Sequence, residues 1–181
     1  MRLIFLLITL AILSGCASNL RVDENYSFGA NTNEGIVVAS TRTLDKCRGY
    51  ANSAILHFEG GPGTNVSKDG FFLENTFMSN DFENPPGYFQ VKTLPAGKYT
   101  FTYLHKTGVM EGIISLKHKN MSFVVKPGKI QYLGEIHGNI PDCKTLQINV
   151  LDQRKRDRKL FDQRMINLKS SDFQYQILKV R

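Results

Sequence analysis

Two copies of one device constrain the fold of this chain more than any other feature: an alternating run, a Pro/Gly turn and a second alternating run. The first copy is Tyr88-Phe89-Gln90-Val91, then Leu94-Pro95-Ala96-Gly97-Lys98, then Tyr99-Thr100-Phe101-Thr102-Tyr103. With a period of two, Tyr99, Phe101 and Tyr103 fall on one face of the outgoing strand. The second copy is Phe123-Val124-Val125, then Pro127-Gly128, then Ile130 to Ile136. Proline presets the first central φ of a type II turn, and glycine takes the positive φ of the next position.

Other segments read the same way. Ile36-Val37-Val38 is β-branched, Ala54, Leu56 and Phe58 alternate with Ile55, His57 and Glu59, and Phe71-Phe72-Leu73 restarts the chain after Gly60-Gly61-Pro62-Gly63. Pro85-Pro86-Gly87 breaks it again, Leu146, Ile148 and Val150 alternate with Gln147 and Asn149, and Phe173 to Val180 returns to strand-like alternation. Strands separated by turn signals at short intervals predict a sandwich or barrel. One stretch departs from this: after Asp152, a plausible N-cap, no Gly or Pro occurs through Leu168, and Phe161, Met165 and Leu168 stand at helical spacing. The expected fold is therefore mainly β, an antiparallel β-sandwich with one C-terminal basic helix at about 153–167.

The N-terminus carries Arg2, an apolar run from Leu3 to Leu13, and then Leu13-Ser14-Gly15-Cys16. The run is too short to span a bilayer stably, and the whole arrangement resembles a bacterial lipoprotein signal. That resemblance implies a signal peptide over 1–15, lipid attachment at Cys16, and an outer-membrane location on the periplasmic face, because Ala17 and Ser18 rather than Asp follow the cysteine. Acyl chains contribute about 0.8 kcal/mol per buried CH₂, so the three chains borne by such a cysteine make a durable anchor. Residues 16–34 are polar, with scattered apolar residues such as Tyr26 and Phe28, and are expected to form a flexible tether. Removing residues 1–15 from the 181 leaves 166, enough for one domain, 35–181, with a real core.

The net charge of +7 includes Arg2. An exported protein of that sign meets anionic lipid, lipopolysaccharide or an acidic envelope protein rather than nucleic acid. Arg154, Lys155, Arg156, Arg158, Lys159 and Arg164 concentrate the charge on the expected helix, tempered by Asp152, Asp157 and Asp162. Arginine offers paired donors to phosphate and carboxylate, so these six are the candidate anion-docking residues. With Cys16 taken by lipid, Cys47 and Cys143 form an even pair in an oxidising compartment, which favours a disulfide between them.

No catalytic residue stands out. His57, His105, His118 and His137 lack HxH or HExxH spacing, so no metal or cofactor is expected. GxSxG is absent, and the Gly60 loop lacks the Gly-Lys-Ser/Thr ending of a phosphate cradle. Phe71, Phe72, Phe77 and Phe82 read as core packing, and the lack of Trp argues against an aromatic carbohydrate platform.

At Gly87 to Val91, Leu94 to Tyr99 and Phe123 to Lys129, the chain resembles prealbumin-like or carboxypeptidase-regulatory-like β-sandwich domains, as do small envelope lipoproteins. The similarity covers roughly Ile36 to Val150, and the basic helix beyond is a departure from the minimal sandwich. Such domains are mostly accessory or binding modules, so the resemblance implies a non-catalytic binding or structural role in the cell envelope. The alternatives are a lipoprotein subunit of a secretion or envelope-spanning machine and, at lower weight, an envelope hydrolase whose site forms only on folding.

Overall fold

The computed structural model describes residues 22–42, 53–61, 69–75, 78–84, 86–108, 111–116, 120–139 and 145–180. Among them eleven strands form two sheets. The first contains β1 (Glu34–Arg42), β4 (Phe82–Glu83), β5 (Pro86–Pro95), β9 (Ile130–Asn139), β10 (Gln147–Leu151) and β11 (Phe173–Tyr175). Its order is β10-β9-β1-β5-β4, with β11 also on β9. The second contains β2 (Ser53–Gly60), β3 (Gly70–Asn75), β6 (Gly97–Thr107), β7 (Gly112–Ser115) and β8 (Ser122–Val125), in the order β3-β2-β6-β7 with β8 also on β6. One α-helix, α1 (Arg154–Arg164), completes the described residues together with a short 3₁₀ turn, Ser170–Asp172.

Both Pro/Gly turns are corners between sheets. β5 lies in the first sheet and β6 in the second, while β8 lies in the second and β9 in the first. At the second corner Lys129 N donates to the Lys126 carbonyl at 3.2 Å. Gly128 has φ 62°, the left-handed value this turn requires of its third residue. Changing sheet at a tight corner lets each strand bury its inner face against the sheet it has just left. The sandwich thus forms as expected, but two pairings run parallel, β1 with β9 and β11 with β9. The chain between β1 and β9 passes through the second sheet, which supplies the long crossover that parallel neighbours need.

Three layers result. Val37, Ala39, Leu56, Phe58, Phe101, Leu104, Phe123 and Leu133 belong to the core between the sheets. On the other face of the first sheet, Ile36, Val38, Phe89, Val91 and Tyr132 pack with Phe161, Met165, Leu168 and Phe173. The helix is shorter than its sequence suggests, because Met165 is already extended (φ −107°, ψ 113°), yet Met165 and Leu168 still reach this outer cluster. Asp152 does not occupy the N-cap, which is Gln153, although its Oδ1 accepts the Arg154 N–H at 3.1 Å.

The simple period breaks at three places among the described residues: on β3 opposite Ala54 and Ile55, and at two bulges that bear on the polar and aromatic clusters. Opposite His57 and Phe58, β6 inserts Thr102, so Tyr99 and Phe101 point into the core while Tyr103 turns outward beside His57. The shared face expected for Tyr99, Phe101 and Tyr103 therefore ends at Phe101. In β9, Leu133 and Gly134 together face the single residue Ala39 of β1, and Gly134 adopts φ 96°.

The N-terminal segment also differs from expectation. Of the tether predicted over 16–34, residues 22–33 are described and lie against the body rather than free of it. Val22, Tyr26 and Phe28 pack on the outer cluster, Ile166 N donates to the Glu24 carbonyl at 2.8 Å, and Asn167 Nδ2 donates to the Asn25 carbonyl at 2.7 Å.

Candidate functional site

The bulge at Gly134 determines where the main polar cluster sits. Without the extra residue, strict alternation after Tyr132 would turn Glu135 into the sandwich core. With it, Glu135 emerges under α1 and Ile136 takes the core position. There Arg156 Nη1 donates to Glu135 Oε2 at 2.7 Å, Arg156 Nε to Asp157 Oδ1 at 2.8 Å, and Arg156 Nη2 to Ser40 Oγ at 2.7 Å. Ser40 Oγ and the Tyr132 hydroxyl both donate to Asp157 Oδ2, at 2.6 and 2.8 Å. Arg42 Nη2 closes the cluster on Glu135 Oε1 at 2.7 Å. Asp157 and Glu135 are fully buried, and two guanidinium groups balance their two charges.

The electrostatics follow from burial and partners. Burial raises the Asp157 pKa, and the Ser40 bond, the Arg156 charge and the Tyr132 bond pull it back only in part. Burial opposes the charge on Arg156, but Asp157 and Glu135 lift its pKa above the ordinary value. Burial and the Asp157 charge also raise the Tyr132 phenol, which stays a neutral donor. The cluster is a charge-balanced clamp between helix and sheet, not an open anion site, although Arg42 Nε within it has no hydrogen-bond partner among the described residues.

The candidate docking residues consequently divide. Arg156 is in the clamp and its guanidinium stacks 3.9 Å from the Phe82 ring. Arg164 Nη2 bonds Asp81 Oδ1 at 2.5 Å, and its Nη1 donates to the Phe89 carbonyl. Arg154 pairs with Asp152 at 2.6 Å and lies over Tyr175, and Arg158 Nε donates to Ser170 Oγ at 3.2 Å. Lys155 and Lys159 are exposed and hold no ion pair among the described residues. Four of the six cations thus have intramolecular partners, leaving two lysines as the freely available charge of the helix.

A different surface stands out on the outer face of the second sheet. His57 is stacked on Tyr103 with ring centroids 4.6 Å apart, and His105 lies 6.1 Å from His57. His57 is only 7% exposed, and neither ring nitrogen has a hydrogen-bond partner. Burial, then the neighbouring His105, lowers its pKa, and Asp69 restores it only in part, which favours the neutral imidazole. Ile113, opposite His105 on β7, is 69% exposed. Such a face suits apolar and stacking contact with a protein surface better than recognition of an anion.

Near the open edge of β5, a cavity of about 210 Å³ is lined by Val22, Asp23, Tyr26, Asp69, Val91, Lys92 and Thr93. Burial lowers the Lys92 pKa and the Asp69 charge partly restores it. The volume falls below the roughly 300 Å³ at which small-molecule pockets usually begin, so the cavity admits a small polar group at most.

Sequence reasoning picked out the six cations but not Asp157, whose burial at helical spacing from Phe161 and Met165 was the available signal. It also missed the His57–Tyr103 stack, which depends on the Thr102 bulge. Of the aromatic group, Phe71 is in the core and Phe82 lies beneath Arg156, whereas Phe77 lies outside the described residues, as do His118, Cys16, Cys47 and Cys143. Among the described residues no three His, Cys, Asp or Glu side chains converge on a metal position, and no helix is long and apolar enough to cross a membrane. Comparison with known protein families, curated proteins and solved structures finds no match for this chain.

Proposed function

We propose that this chain is an outer-membrane lipoprotein, anchored through Cys16 on the periplasmic face, whose prealbumin-like sandwich serves as a binding or structural module of the envelope. The observation that carries the reading is the charged, apolar and small-residue sequence ending at Cys16. The module's contact surface is the outer face of the second sheet, where the exposed Ile113 and the half-buried Tyr103, stacked on the buried His57, face a protein partner. Lys155 and Lys159 are secondary contacts for anionic head groups or lipopolysaccharide. A disulfide between Cys47 and Cys143 belongs to the same reading.

The anchor is tested by replacing Cys16 with Ser in cells supplied with a labelled fatty acid. The native chain should carry label and sediment with outer membranes, while Cys16→Ser should lose the label and remain unprocessed. Equal labelling and outer-membrane partition of the two chains would reject the assignment.

A further inference from the structure

We infer that the corner of the molecule at the end of α1, marked by Ile166, rests on the head-group layer of the membrane that holds the chain. The inference depends on lipid attachment at Cys16, as proposed above, and commits to the lipid surface as the occupant of this corner.

Only residues 17–21 separate Cys16 from Val22. Six Cα steps at full extension span at most about 20 Å. A domain of this size has a radius of gyration near 15 Å and is therefore wider than that reach. The surface beside Val22 must consequently stay close to the lipid, and the far side of the sandwich cannot turn onto it.

That surface is fixed by contacts already described. Val22 packs on the outer cluster, and Glu24 and Asn25 are bonded through their carbonyls to Ile166 and Asn167, just beyond α1. Ile166 is 56% exposed at this place. A single exposed isoleucine needs no explanation by itself; its position beside the point where the chain leads to its anchor gives it a use. Asp23, Glu24 and Lys169 are also exposed here, so the corner is of mixed charge and its contact should depend on the anchor and on apolar insertion rather than on salt. Ile113 provides the contrast. It lies on β7, at the edge of the second sheet opposite β3 and in the layer away from α1.

The chain contains no Trp, so Ile166→Trp and Ile113→Trp each create a single fluorescent probe at an exposed site. Each full-length protein, purified with its native lipid and checked for acylation by mass spectrometry, is reconstituted into phosphatidylcholine and phosphatidylglycerol vesicles containing lipids brominated near the head group. The Ile166→Trp probe should emit at shorter wavelength and lose several-fold more intensity to the brominated lipid than the Ile113→Trp probe, at low and high salt alike. Equal quenching of both probes in acylated protein would overturn the docked orientation and leave the anchor standing. Protein that carries no acyl group would overturn the anchor and the orientation with it. Quenching of Ile166→Trp that vanishes at high salt would also overturn the inference, by showing electrostatic attraction in place of an imposed, inserted contact.

Discussion

Asp157 shows how far a single residue can depart from the part its neighbours suggest. It sits in a run of basic residues that reads as a solvated face, yet it is buried and accepts hydrogen bonds from Ser40, Tyr132 and Arg156. Removing Arg156 tests the clamp. Breaking a buried ion pair costs about 3–5 kcal/mol, but this guanidinium is 27% exposed and each carboxylate keeps another partner, so Arg156→Met should cost roughly 2 kcal/mol. The deficit should also depend on pH. Burial already holds the Asp157 pKa above its ordinary value, and loss of the guanidinium raises it further. For a carboxyl raised on folding, the associated stability is fully present below the unfolded value near 4 and is lost as pH rises through the folded value. Urea unfolding should therefore show a larger deficit at pH 7 than near pH 4.5, and a deficit that stays constant across that range would show that Asp157 does not depend on Arg156. The sequence held only the helical spacing of Asp157 from Phe161 and Met165 as a sign of this, because the clamp also needs the positive φ of Gly134 to turn Glu135 toward the helix, and a glycine inside an alternating run does not reveal which way its successor points.

At the scale of elements, α1 was visible as a helix but not as part of the core. Its hydrophobic content is low, and its buried contact with the sheet runs along one narrow line, Asp157, Phe161 and then Met165, each four residues from the last, flanked by the bonds of Arg156 and Arg164. Phe161 is fully buried and meets Phe173 edge to face with centroids 4.9 Å apart. Phe161→Ala should accordingly lower stability by about 3–5 kcal/mol, whereas Lys155→Ala on the same helix should stay within about ±0.5 kcal/mol. Paired urea titrations followed by circular dichroism would measure both. Similar losses from the two substitutions would mean that the helix gains little from its seat on the first sheet. The arginines were conspicuous in the sequence, but their partners were not: Asp81 lies 83 residues from Arg164, and only the fold brings them together.

On the scale of the whole molecule, the strands and the Pro/Gly turns were readable because they rest on local rules, period-two alternation and the φ preferences of proline and glycine. The exchange of sheets at each turn was not, since a corner and a hairpin use the same turn residues. That exchange sets β1 beside β9 in parallel, with Arg42 opposite His137 at the ends of the two strands. The connection containing Cys47 follows β1, and the one containing Cys143 follows β9, so both leave the same end of the first sheet. Both cysteines lie outside the described residues, and the proposed disulfide would tie the β1–β2 connection to the β9–β10 connection. The two cysteines are 96 residues apart. The chain-entropy model gives about 4–5 kcal/mol for a loop of that length, and strain in the folded state reduces it. Protein isolated from the periplasm and digested without reduction should release Cys47 and Cys143 in one linked peptide pair, and reduction should lower the urea midpoint without changing the far-ultraviolet spectrum of the folded state. A native population with both thiols free to alkylation, and a midpoint indifferent to reductant, would show that the two connections are held by packing alone.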